Sequence, residues 1–88
     1  MVVDLHSRGT HSLKEKRHIV VSMKEKLKQK FNISIIESDY QDTWQKIQVA
    51  IALVSNSKSM AGKIFDQIEE FIFSNYPVQM IAVNKEFL

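Results

Sequence analysis

The chain contains, at residues 12–17, the sequence SLKEKR. Ser12 followed by Glu15 is the pattern of a capping box. In that motif the serine oxygen accepts a hydrogen bond from the backbone N–H of Glu15, and the glutamate accepts one from the N–H of Ser12. The pattern predicts a helix that begins at Leu13. The stretch matches no catalytic or phosphate-binding motif, so it indicates architecture more directly than activity.

The predicted helix has an apolar face and a basic flank. At about 100° per residue, one narrow sector contains the apolar residues of a core-facing stripe, namely Leu13, Val20, Met23, Leu27 and Phe31. A row of basic side chains follows the edge of this stripe, namely Lys14, Arg17, Lys24 and Lys28. We expect the helix to end near residues 31–32, with Asn32 as a left-handed C-cap.

The charge of the chain is concentrated in this helix. The whole chain has a net charge of only +2, yet residues 13–30 contain seven basic and two acidic residues. The remainder is therefore net acidic. Such asymmetry favours an anionic partner for one face of the helix, although lysine-rich exposed helix faces also occur where nothing binds.

The other segments alternate between strand and helix patterns. Val2 to Leu5 predict a short first strand, because only Met1 to Leu5 are available before a turn at residues 7–10 in which Gly9 provides a permissive backbone. Alternating residues predict strands over 32–40 and 44–54, joined as a hairpin. After a serine-rich turn at 55–57, a second helix extends to about Ser74. A last strand covers 78–83 and is expected to continue toward Leu88.

This order, β-α-β-β-α-β, predicts an α+β, ferredoxin-like fold in one domain of residues 1–88. Two helices cover one face of a four-stranded antiparallel sheet, and the other face is left open. The residues assigned to that open face are too apolar for a fully solvated surface, which predicts an interface with a second copy of the chain. The expected interface residues are Ile36, Tyr40, Trp44, Ala50 and Ala52.

Trp44 has a specific expected position. It is an odd number of residues from Ile47, Val49 and Ile51, so in a continuous strand it lies on the opposite, uncovered face. On that face the large apolar ring of Trp44, beside Tyr40, would be exposed to solvent unless another group packed over it. We expect either a second subunit or the chain's own tail near Phe87 to provide it.

Composition excludes several classes of protein. The chain has no cysteine, which removes disulfides, thiolate metal sites and cysteine nucleophiles. It shows no signal-peptide pattern and no apolar run of about 18 residues, so we expect a cytoplasmic protein without a membrane segment. No cofactor motif is present, and Gly62 alone forms no phosphate loop.

Two stretches resemble a known family. SLKEKR at 12–17, and YQDTWQ at 40–45 preceded by FNISIIESD, are together similar to YlxP-like proteins, a small bacterial family of unknown function; the similarity covers nearly the whole chain. The resemblance implies a ferredoxin-like fold. Because genes of this family are often found among those for translation and ribosome maturation, it also implies a ribosome-associated or RNA-binding role. It implies no catalytic residues.

We therefore expect a non-enzymatic protein that binds ribosomal RNA or a ribosome precursor. The expected phosphate contacts are Lys14, Arg17, Lys24 and Lys28, with Lys16 and Arg8 at the periphery. Base stacking on the open sheet face is not expected, because its third strand offers Lys46, Gln48, Ala50 and Ala52.

Two alternatives remain. One is a homo-oligomeric scaffold whose basic helix only maintains solubility. The other is a small metal-dependent enzyme or nuclease that uses Asp39 and Asp42, near Glu37, although turn residues of this kind more often bond the local backbone. His6, His11 and His18 lack the further ligands of a closed zinc site and are expected to be surface or capping residues.

Overall fold

The computed structural model describes all residues 1–88. Its elements are β1 (Val2–Ser7), α1 (Leu13–Lys30), β2 (Ser34–Asp39), β3 (Lys46–Ala52), α2 (Lys58–Asn75) and β4 (Val78–Asn84). The strands form one antiparallel sheet in the order β2-β3-β1-β4. This confirms the predicted ferredoxin-like α+β architecture.

The strands differ from prediction mainly at their ends. β1 extends to Ser7, two residues beyond the expected Leu5, because it is a central strand that pairs with β3 on one side and β4 on the other. The Ser7–Thr10 turn then follows, and Gly9 has the positive φ of 73° that glycine tolerates best. β2 and β3 are shorter than predicted, so residues 40–45 form a longer connection.

Both helices begin at a serine cap, and the one at Ser12 was predicted. Ser12 Oγ accepts a hydrogen bond from Glu15 N–H at 3.2 Å, and Ser57 Oγ accepts one from Met60 N–H at 3.2 Å. The second half of the predicted capping box is displaced by one residue. Glu15 Oε2 accepts from the N–H of His11, at 2.7 Å, rather than from Ser12. The glutamate thus fixes the residue before the cap.

The predicted left-handed Asn32 cap is wrong. α1 ends at Lys30, and Phe31 is the cap residue in an extended conformation with φ −128°. Its N–H still donates to Leu27 O. Because the Phe31 ring packs against the core, the chain turns directly into the strand direction and needs no left-handed residue.

The core lies between the sheet and the two helices. Val3, Leu5, Ile47, Val49 and Ile51 point from the sheet into this layer. For the three β3 residues, this is the face that the alternation predicted. The helices contribute the buried side chains expected from their 3.6-residue period, namely Val20, Met23, Leu27, Ala61, Phe65, Ile68 and Ile72. Each large apolar side chain of this kind contributes about 1.5–3 kcal/mol when fully buried.

The tail after β4 folds back along α2. Lys85 Nζ lies 3.0 Å from both Asp66 Oδ1 and Glu69 Oε2, and hydrogen bonds to Glu69 and then Asp66 raise the pKa of Lys85. The Phe87 ring packs against Phe65 with centroids 5.8 Å apart. The expected continuation of the last strand to Leu88 is therefore wrong.

Neither helix has the length and apolar character needed to cross a bilayer.

Candidate nucleic-acid interface

One flank of α1 carries four basic side chains that we call the basic ridge: Lys14, Arg17, Lys24 and Lys28. Lys14, Arg17 and Lys28 are exposed and Lys24 is half-buried. The ridge spans about 21 Å along the helix axis at 1.5 Å per residue. None of the four side chains forms an ion pair, since the salt bridges of the molecule involve only Lys16 and Lys85.

The packing of the helices leaves the basic ridge open. Ser22, on the opposite flank of α1, shares a hydrogen bond with the Tyr76 hydroxyl at 3.1 Å, and Lys30 Nζ lies 5.0 Å from the centre of the Phe71 ring. α2 therefore packs beside that opposite flank. Within the ridge sector, Val21 remains 48% exposed. The ridge is available to a partner along its length.

Lys16 does not belong to this surface. Its side chain is only 1% exposed, its Nζ donates a hydrogen bond to Tyr40 O, and Nζ lies 3.0 Å from Glu37 Oε2. The prediction that Lys16 contacts phosphate at the periphery is therefore wrong. Lys16 is two residues beyond Lys14 and therefore about 200° around the helix, on the side that faces the core. Its side chain joins α1 to β2 and to the turn after β2.

Arg8 also lies apart from the ridge. Its guanidinium donates to Val78 O at 3.4 Å, at the start of β4. The same hollow is lined by acidic residues of α2, among them Glu69 and Glu70. Arg8 is therefore separate from the ridge, because the turn that carries it leaves β1 on the side of β4 and α2.

Trp44 lies in the turn before β3, not in the strand. Its ring packs against that of His11, with centroids 6.3 Å apart and planes inclined by 52°, and the residue is 39% exposed. The alternation argument fails because the regular strand begins only at Lys46. The predicted cover by the tail is also wrong, since Phe87 packs on Phe65.

The position of Trp44 predicts a small effect on stability. Trp44→Ala should lower the free energy of unfolding by about 1 kcal/mol, since complete truncation of a buried aromatic side chain costs about 3–5 kcal/mol and this ring is partly solvated. The effect should not depend on protein concentration. Urea denaturation at two protein concentrations tests this prediction. A loss of more than about 3 kcal/mol in the free energy of unfolding would mean that the ring is buried in solution.

The other predicted interface residues divide between the open face and the turn. Ile36, Ala50 and Ala52 lie on the open sheet face, where Ile36 is 60% exposed and is paired in register with Ala50. Tyr40 lies in the turn with a left-handed φ of 63°, and Lys46 Nζ is 5.6 Å from the centre of its ring. The apolar patch is thus smaller than predicted.

A polar row crosses the open face beside this patch. Ser38 Oγ donates to Gln48 Oε1 at 2.9 Å, and Gln48 Nε2 donates to Asp4 Oδ1 at 2.7 Å. These hydrogen bonds link β2, β3 and β1. Aromatic side chains are absent from the row, so the face offers hydrogen bonding rather than base stacking.

The candidate metal ligands are not brought together. Glu37 is paired with Lys16, and Asp39 Oδ1 accepts a hydrogen bond from Tyr40 N–H at 2.7 Å, as expected for a turn residue. No group of three or more His, Asp or Glu side chains is placed to hold a metal ion. His6 lies on β1, His11 before α1 and His18 on the exposed face of α1.

Sequence reasoning missed the pairing of His11 with Trp44 and the structural role of Lys16. The available signals were the position of His11 one residue before the cap and the helical phase of Lys16, which places it with the apolar stripe. The roles of His11 and Lys16 become visible only when the structure brings the start of α1 against residues 37–44.

Comparisons with known proteins give two matches. Residues 1–85 match a family described as "Protein of unknown function (DUF503)". The chain is also 43% identical over 76 residues to the "Uncharacterized protein YlxP" of Bacillus subtilis (strain 168), a match that covers 86% of this chain and 83% of the relative.

Proposed function

Because the chain belongs to the DUF503 family, whose description assigns no activity, we propose from its geometry that it acts by binding RNA. The RNA is ribosomal RNA or a ribosome precursor, and the basic ridge contacts its phosphates. The protein acts in the cytoplasm as a binding factor and not as an enzyme. The ribosomal part of the proposal rests on the family resemblance described above.

The observation that supports this proposal is that Lys14, Arg17, Lys24 and Lys28 follow one flank of α1 without ion-pair partners. Each bound phosphate releases counterions from the nucleic acid, so such a row gives sequence-independent affinity that weakens with salt. Lys16 is not part of this row, because its charge is paired with Glu37 inside the protein.

A salt titration of the unmodified chain tests the proposal. With four phosphate contacts on single-stranded RNA, a plot of the logarithm of the association constant against the logarithm of the salt concentration should have a slope of about −3. The association constant should therefore fall roughly fiftyfold between 50 and 200 mM salt. Fluorescence anisotropy of labelled ribosomal RNA fragments measures this. Affinity capture from lysate with and without ribonuclease then identifies ribosomal partners. No binding at 50 mM salt would refute the proposal.

A second candidate function is self-association through the open sheet face, favoured by the 60% exposure of Ile36 within a regular strand. In that case the unmodified chain sediments as a dimer at micromolar concentration, and Ile36→Glu shifts it to monomer by placing charge in an apolar contact. Phe73→Glu is the matched control, because Phe73 is 62% exposed on α2. A monomeric unmodified chain would exclude this function.

A further inference from the structure

We propose that the rings of Trp44 and His11 form a stacking platform for an unpaired nucleobase. This inference rests on the proposed function and specifies its ligand: RNA with a single-stranded segment at the start of α1, rather than a continuous duplex. We call the pair of rings the aromatic platform.

The platform leaves aromatic surface exposed to a base. The two rings are in aromatic contact, at 6.3 Å between centroids, yet Trp44 keeps 39% of its surface exposed and His11 is exposed. An indole face accepts any base by stacking, so recognition depends on the base being unpaired and not on its identity. Sequence reasoning rejected stacking on the sheet, and the structure places the aromatic surface at the helix start instead.

The backbone segments that carry the two rings are hydrogen-bonded to side chains at the start of α1. Glu15 Oε2 accepts a hydrogen bond from His11 N–H at 2.7 Å. Tyr40 O accepts hydrogen bonds from Thr43 N–H at 3.0 Å and from the buried Lys16, which fixes the turn that carries Trp44. The segments 12–17 and 40–45 therefore meet at the platform. Ordering them in advance reduces the entropy lost on binding.

The platform adjoins the basic ridge. His11 lies one residue before the N-cap Ser12, and Lys14 and Arg17 occupy the first two turns of α1. Stacking surfaces combined with a basic track are the usual means of binding single-stranded nucleic acid. Asp42, exposed two residues before Trp44, repels phosphate. The RNA backbone therefore extends from the platform along α1.

Intrinsic fluorescence tests the platform directly, because Trp44 is the only tryptophan of the chain. The probes are a labelled single-stranded adenosine oligoribonucleotide of about twelve nucleotides, which is within the range of known site sizes, and an oligomer of the same length with abasic positions. We expect the adenosine oligomer to quench Trp44 as it binds. The abasic oligomer, with the same phosphates, should bind more weakly and leave the emission unchanged.

Substitutions separate stacking from charge. Trp44→Ala should weaken binding of the adenosine oligomer by about fivefold to 150-fold and leave binding of the abasic oligomer unchanged. Phe73→Ala, which removes another exposed aromatic ring on α2, should alter neither. Trp44→Phe should retain most of the affinity.

The possible outcomes are distinct. Binding by anisotropy without a change in Trp44 emission, or equal quenching by the abasic oligomer, would refute the platform and leave the ridge proposal standing. Failure of both oligomers to bind would refute both. If Trp44→Ala changes only the sedimenting mass, the ring belongs to a protein interface and the platform is wrong. If that variant does not fold, the two oligomers on the unmodified chain decide the question.

Discussion

Replacing Lys16 with alanine is expected to lower the free energy of unfolding by about 3–5 kcal/mol, a large part of the stability of a chain this short. The side chain is 1% exposed, and Glu37 keeps only 18% side-chain exposure. The Nζ–Oε2 contact of 3.0 Å is an ion pair without hydrogen-bond geometry, and Oε2 has no hydrogen-bond donor. The substitution leaves a carboxylate of low exposure without its counter-charge.

The matched control is Lys14→Ala, two residues earlier on the same helix and exposed, which should change the free energy of unfolding by no more than about 0.5 kcal/mol. A double variant, Lys16→Met with Glu37→Leu, should recover most of the loss, because replacing a buried ion pair by apolar residues is often neutral. Guanidinium denaturation of all three variants measures these differences. A Lys16→Ala loss below 1 kcal/mol would show that the ion pair is solvated.

Reversing the charge of the basic ridge should abolish its salt-dependent affinity for RNA. With Lys14, Arg17, Lys24 and Lys28 all changed to Glu, the salt slope should fall from about −3 to near zero, and affinity at 50 mM salt should drop by about a hundredfold or more. Stability should change little, because the ridge forms no ion pairs to lose. Anisotropy titrations at several salt concentrations measure the slope.

The control variant reverses four exposed lysines elsewhere, namely Lys26, Lys30, Lys58 and Lys63. Both variants shift the net charge equally, so general repulsion of RNA is matched and only the position of the charges differs. We expect the control to lose affinity modestly and to retain most of its salt slope. Equal losses in the two variants would show that net charge, and not the basic ridge, drives binding.

The fold was predictable because its signals are local. A period of 3.6 residues in two segments and alternation in the others depend only on neighbours in the chain, and they place Val20, Met23 and Leu27 on one helix face and Ile47, Val49 and Ile51 on one strand face. The serine caps are local in the same sense. Element order then limits the topology to very few arrangements.

The candidate site was predictable only in part. Lys14, Arg17, Lys24 and Lys28 share a flank by helical geometry alone, so the sequence identified the basic ridge. The sequence-based sets of phosphate contacts and interface residues nevertheless included Lys16, which the structure buries, and placed Trp44 on the open sheet face. Alternation was applied to a turn residue, where the strand geometry that justifies it does not hold.

The sequence by itself determined the two helices and four strands, the faces that build the core, and the flank of α1 that carries free positive charge. Tertiary structure alone decided that Lys16 meets Glu37 and Tyr40, that Trp44 meets His11, and that Lys85 and Phe87 return to α2. These contacts join residues far apart in the chain. Which residues meet depends on how the packed helices and strands bring the ends of loops together. The local periodicity of the sequence contains no information about this.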